Sequence, residues 1–416
     1  MNKLTTFLLS TMLITLSISC KRDTDIVDPA PVVNPGQPTT PATGAVTPVA
    51  APEGAAITAI IGPAGGTIES ADKRIQVQIP AGALTTSQTI SVQPLGQNNC
   101  PAGSGQAFRL TPHGLTFAKP ATVTFQYTSK DVNGTAPELL RVAYQTDKGS
   151  WQSPSVKGLD TTARTVSIQT THFSDWGLFK SMYISPDQSF VNPGGSQQLR
   201  VFQMGKPLVE GDELFVPLPT LVDTKYIEKW SLAGAGTLAH QHNTGDYYAP
   251  ETIPATNPVS VTVFLNKTET IDGKVYKDLR LVTSIFVAPE GVSIQIGAGG
   301  AWQTFPGGAN INSTQNIILG KTGDTFAMVG WVGKPTGVYQ WTAGTTVSFV
   351  SQNGPTMTYS HLYGKNVSGG SLQVNNEHET WVVGTFTLTS SGWIESVPPP
   401  KYGTTSIRGV FRVKRV

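Results

Sequence analysis

The feature that most constrains this chain is strict alternation of apolar and polar residues over short runs. Ile75, Val77 and Ile79 alternate with Arg74, Gln76 and Gln78. That is the period of a strand with one buried and one wet face. Leu140, Val142 and Tyr144 repeat it, and so does the C-terminal run Ile407-Arg408-Gly409-Val410-Phe411-Arg412-Val413. Runs at 259–265, 325–331 and 381–388 also read as strands. Turn signals separate them: Pro80-Ala81-Gly82-Ala83, Asp147-Lys148-Gly149 and Asn192-Pro193-Gly194-Gly195. Helical signatures are missing. Charged residues make up only 13% of the chain, well below the usual quarter, and Gly, Thr, Ser and Pro take their place. The expected fold class is therefore all-β: tandem β-sandwich domains on a disordered, Pro-rich N-terminal stalk. The length suggests two to four domains.

Charge and cysteine narrow the function. The net charge is +2 and the basic residues are dispersed, so no basic stripe marks a nucleic-acid surface. The two cysteines, Cys20 and Cys100, offer no disulfide framework. Cys100 sits in a turn-rich loop without basic neighbours and reads as an unpaired loop or edge thiol.

The N-terminus carries an export pattern. Lys3 precedes an apolar run from Phe7 to Ile18, too short for a permanent membrane span. It ends at Leu16-Ser17-Ile18-Ser19-Cys20, which resembles the bacterial lipobox, with Leu16 one place further from the cysteine than the commonest spacing. The resemblance implies a signal peptide over 1–19 and a lipid on Cys20. Partnership with a membrane then runs through that lipid. Lys21-Arg22-Asp23-Thr24-Asp25 resembles the tether signals of surface lipoproteins of the Bacteroidota. Prolines 29, 31, 35, 38, 41, 48 and 52 recur through 20–56. The lipidated cysteine and this linker form a stalk that reaches on the order of 100 Å when extended.

Residues 57–179 contain an ordered set of pieces: Gly65-Gly66-Thr67-Ile68, the alternating strand, Pro80-Ala81-Gly82-Ala83-Leu84, Phe108-Arg109-Leu110-Thr111-Pro112-His113-Gly114 and Pro120-Ala121-Thr122-Val123. This set resembles the ZU-type (ZU-five) domain, a β-sandwich found in ankyrins, netrin receptors and bacterial surface proteins. Some members of that family cut themselves at a His-Phe-Ser tripeptide, and the matching residues are His172, Phe173 and Ser174. The resemblance implies attack of Ser174 Oγ on the Phe173 carbonyl, an N-to-O shift, and hydrolysis of the ester. A hydroxyl needs a neighbouring base, and the imidazole of His172 is suited to that work. The alternative is structural. Val166, Ile168, Thr170 and His172 share a strand face by the period of two, which makes His172 a buried structural histidine. His113 follows Pro112 in a turn and reads as structural.

Residues 180–289 carry a Pro-Gly turn, a Trp230 strand, Tyr247-Tyr248-Ala249-Pro250 and a Val-rich strand. The order resembles bacterial immunoglobulin-like modules. His240 and His242 share a strand face with Asp246 nearby, but a zinc site needs three or four ligands; surface or turn histidines are expected, with no metal and no cofactor. Residues 290–416 form a third β-rich unit. Glu377, His378 and Glu379 read as a solvated turn. Trp302, Trp331, Trp341, Trp381 and Trp393 are numerous for the span; exposed ones would stack on sugars, and core packing is the default.

The carboxylates Asp187, Glu210, Glu228 and Glu251 stand in no recognisable motif. The leading expectation is a non-enzymatic cell-envelope lipoprotein, anchored to the outer membrane and facing outward. It presents β-sandwich modules for adhesion, ligand binding or envelope structure, with an unidentified protein or glycan as ligand. The alternatives are a surface protein that cuts itself between Phe173 and Ser174, and a glycan-binding protein.

Overall fold

The computed structural model describes residues 44–186, 188–204, 209–210, 213–312, 314–352, 356–378 and 380–416. All of them belong to one compact unit, 39–416. The described chain is nearly all β, as expected, with short 3-10 turns at Pro137–Leu139 and Thr224–Tyr226. No described helix is long and apolar enough to cross a membrane. Cys20 and the export segment lie outside the described residues.

The first module is two facing sheets. One runs Gly66–Glu69, Ile75–Ile79, Thr116–Gln126, Thr165–His172, Val156–Asp160. The other runs Ile57–Ile61, Gln88–Pro94, Gly103–Thr111, Asp175–Lys180, Leu140–Gln145, Trp151–Pro154. The alternation dictates the packing: Ile75, Val77 and Ile79 are buried while Gln76 and Gln78 are exposed. Ile75 lies opposite Phe125 and Val77 opposite Val123 in register. Phe108, Leu110 and Trp176 meet them from the other sheet. Each such apolar side chain contributes roughly 1.5–3 kcal/mol by leaving water. Gly65 makes the opening turn at φ +76°, and a Cβ there would lie 2.8 Å from the Ala81 amide nitrogen, so only glycine fits.

The second module packs Met182–Pro186, Ser196–Met204, Thr244–Tyr248 and Thr237–Gln241 against Phe190–Val191, Arg280–Val287, Val259–Leu265 and Ile227–Ala233. Trp230, Tyr247 and the alternating Val259, Val261 and Val263 fill its core.

In the third module the last strand, Lys401–Arg415, closes a ring of strands. It pairs with Gly291–Ile296, with the 15-residue strand Trp381–Glu395 and, in parallel, with Gly307–Asn310. The pairing of the two long strands shifts register between Leu388 and Ser391, a bulge in Trp381–Glu395 that bends that strand.

Two segments cross the expected boundaries. Residues 44–53, read as free linker, run along the second sheet of the first module. Val46 bridges Ser150, Pro52 bridges Leu95, and Trp151 Nε1 donates to Thr47 Oγ1 at 2.8 Å. Val209–Glu210 and Glu213–Phe215, inside the expected second domain, form a hairpin that pairs with Trp151–Pro154. The hairpin covers Trp151–Pro154, which would otherwise end its sheet with unpaired peptide groups, and edges are normally covered.

The modules are also sealed to each other. Gly134 donates its N–H to the Val282 carbonyl and accepts from Ile184 N–H at 2.8 Å. Its φ is +79° and a Cβ would sit 2.5 Å from the Ile184 oxygen. Between the second and third modules, Phe190, Phe286 and Val383 cluster with Trp381. The Arg412 guanidinium lies over both aromatic rings, 4.7 Å from Phe190 and 5.5 Å from Trp381. Ile253, Ala288 and Val410 form a second contact with Trp302.

Candidate functional site at the sheet crossover

The tripeptide His172-Phe173-Ser174 is where the chain leaves one sheet of the first module for the other. Thr165–His172 belongs to the first sheet and Asp175–Lys180 is central in the second. The register of Thr165–His172 with its neighbour shifts between Thr170 and His172, which turns the chain toward the facing layer. Phe173 points into the space between the sheets. It is buried and meets Phe117 edge-on at 4.9 Å.

Ser174 is buried as well. Its hydroxyl donates to the main-chain carbonyl of Gln145, and its own carbonyl accepts from Leu110 N–H at 3.0 Å. His172 is half-buried at the strand end. Its Nδ1 lies 3.3 Å from Thr170 Oγ1, and the same hydroxyl donates to the His172 carbonyl at 3.0 Å. The imidazole meets Tyr144 edge-on at 4.5 Å and Trp176 at 5.9 Å. The Ser174 proton is thus directed at a peptide carbonyl, a very weak base, while His172 is held by Thr170 and two aromatic rings. Both flanking strands stay hydrogen-bonded in their own sheets, so a break at Phe173–Ser174 would leave two halves interlocked.

Asp175 is the residue that sequence reasoning missed. It is 3% exposed and sits directly opposite Arg109 in register. Arg109 Nε and Nη2 grip its two carboxylate oxygens at 2.8 and 2.7 Å, and His113 Nε2 lies 3.3 Å from Oδ1. This hydrogen bonding holds Arg109 above its ordinary pKa. Arg109 Nη2 also donates to the Ala50 carbonyl at 3.1 Å. Gln145, whose carbonyl receives the Ser174 proton, donates its side-chain amide to the Thr47 carbonyl at 2.7 Å. The tripeptide and the 44–53 strap therefore share two supports. Only a pairing between distant segments could have disclosed them.

The other candidates are dispersed. His240 stacks on Trp230 at 5.9 Å. His242 occupies a turn at φ 53°, its carbonyl accepting from Trp230 Nε1. Among the described residues no three His, Cys, Asp or Glu side chains gather to hold a metal. Cys100 is buried beside Ala143, Trp151, Phe179 and Val216, which pushes its thiol well up; the expected loop cysteine is a packed one. Glu228 is exposed and lies 3.5 Å from Lys229, and Glu251 is exposed. Asp187, Glu379 and the side chains of Glu210, Glu377 and His378 lie outside the described residues. Trp331 and Trp341 are core residues, Trp302 and Trp381 are at the module junction, and Trp393 packs partly against the core.

No protein-family model matches the chain, and no curated protein matches it in sequence.

Proposed function

We propose that this chain is a non-enzymatic envelope protein, lipid-anchored through Cys20. Its ZU-type, immunoglobulin-like and C-terminal β-modules form one rigid body that holds a binding face away from the membrane. The observation that carries the reading is the sealing of the modules. Apolar clusters, main-chain hydrogen bonds at Gly134 and the Arg412 sandwich join them, and the strap ties the incoming chain to the first sheet. A loose string of domains has no use for such junctions, because inter-domain motion is the default unless an interface is apolar and extensive. Two or more acyl chains would give lasting attachment.

The test is metabolic labelling with an alkyne palmitate in a bacterial host, followed by protease treatment of intact cells. The expected result is a labelled chain cut by external protease. The Cys20→Ser variant should be unlabelled and released. An unlabelled wild-type chain, or one protected in intact cells, would contradict the anchored outward-facing reading.

A second reading is a single self-cleavage between Phe173 and Ser174. It is favoured by the placement of the tripeptide at a crossover between the two sheets, where both products would stay paired. Ser174 Oγ would bond to the Phe173 carbonyl carbon as the C–N bond breaks and the amine takes the hydroxyl proton. Water would then release a Phe173 carboxylate and restore the Ser174 hydroxyl.

A further inference from the structure

The outer face of the third module carries a concave groove of about 500 Å³, within the size range of small-ligand sites. Its floor is built by register. Phe349 lies opposite Ser360, and Thr358 opposite Ile394, which lies opposite Tyr402. One wall is Tyr402, 69% exposed beside Ile394 at 52%. The other wall is the small hairpin of Leu362–Tyr363 and Asn366–Val367. It overhangs Gly392, where a Cβ would meet the Tyr363 Cα at 3.0 Å.

That wall is fixed at its base. His361 is buried, with Nε2 3.0 Å from the Thr342 carbonyl, and its own carbonyl accepts from Ser368 N–H at 2.8 Å. The groove is thus largely formed before any ligand arrives, which lowers the entropic cost of binding. Its lining residues include no charged side chain. At its end Lys401 and Glu395 are 3.5 Å apart and answer each other.

We propose that this groove binds a neutral polysaccharide. A pyranose has an apolar C–H face, a rim of hydroxyls and no charge. The groove offers the complement: rings of Tyr363 and Tyr402 for the apolar face, and the hydroxyls of Thr358, Ser360 and the two phenols for the rim. Tyrosine suits such a task because one end is apolar and the other polar. Exposed apolar side chains gathered in one concavity are a binding feature, unlike single scattered ones. An anionic ligand would find no cation in the lining. The proposal deepens the reading of the chain as a non-enzymatic binding protein, and rests on it.

The test is native affinity electrophoresis of the full chain in gels cast with starch, xylan, galactomannan or mixed-linkage β-glucan, beside a polygalacturonate gel. The expected result is retardation in at least one neutral gel. Tyr363→Ala/Tyr402→Ala should weaken apparent affinity about tenfold, as losing two aromatic contacts implies, with an unchanged urea unfolding midpoint. Both side chains are exposed, so the variant keeps its fold. Equal mobility in every neutral gel, retardation that the variant retains, or retardation by polygalacturonate alone would overturn the groove. So would a dimer in sedimentation that Tyr402→Asp dissociates, which would assign the face to a second copy. Retardation accompanied by new reducing ends would uphold the groove and overturn the non-enzymatic reading.

Discussion

Arg109 and Asp175 stand opposite each other on neighbouring strands and form a two-pronged ion pair at 2.8 and 2.7 Å, immediately after Ser174. The pair fixes the second sheet at the point where the chain enters it. Through Ala50 it also fixes the strap. Arg109 is about a fifth exposed and Asp175 almost wholly buried, so the loss of the guanidinium strands a carboxylate. Arg109→Met should cost about 2–4 kcal/mol in urea unfolding, below the full cost of breaking a wholly buried pair because water reaches one partner. Arg109→Met/Asp175→Asn should recover part of it, since no buried charge remains. Equal losses in both variants would mean that packing, and not the stranded charge, sets the cost.

Arg412 sits at one of the two contacts between the second and third modules. Burial lowers its pKa, and its Nε has no hydrogen-bond partner among the described residues. The faces of Phe190 and Trp381 supply the compensation; a desolvated cation–π contact is worth about 2 kcal/mol. Arg412→Ala should leave each core intact and loosen the joint. Limited proteolysis should then cut near residues 288–291 faster than in the wild-type chain. An unchanged digestion pattern would remove Arg412 from the joint.

Alkaline stability should follow two tyrosines. Burial pushes the phenols of Tyr183 and Tyr247 up to about 12 from an ordinary 10.0. A folded pKa above the unfolded one means that the unfolded chain loses its protons first. Their stabilising contribution is full below pH about 10 and is lost as the pH rises through about 12. Tyr247→Phe should flatten that decline in urea midpoints. It should cost about 1 kcal/mol at neutral pH for the lost bond to the Ala235 carbonyl. An identical decline in the variant would assign it to other groups.

The alternation at 75–79, 140–144, 259–265 and 407–413 gave away the strands because a period of two survives any tertiary context that buries one face. It did not reveal which sheet each strand joins. The Pro-rich composition of 44–53 reads as extended backbone; that this extended backbone bridges the first module is invisible without Ser150 and Leu95 beside it. His172, Phe173 and Ser174 were legible as a motif. The Gln145 carbonyl and the Thr170 hydroxyl that engage them were not, since both contacts depend on the crossover. The groove of the third module was illegible for the same reason: Phe349, Ile394 and Tyr402 come from three strands and meet only in register.

The most direct test of an uncut, non-enzymatic body is the intact mass of the full chain, on a denaturing gel and by mass spectrometry, beside Ser174→Ala. With the Ser174 hydroxyl directed at the Gln145 carbonyl, one chain unbroken at Phe173–Ser174 is expected in both. Two fragments with a new N-terminus at Ser174, absent in the variant, would contradict the account and make His172 the next residue to replace.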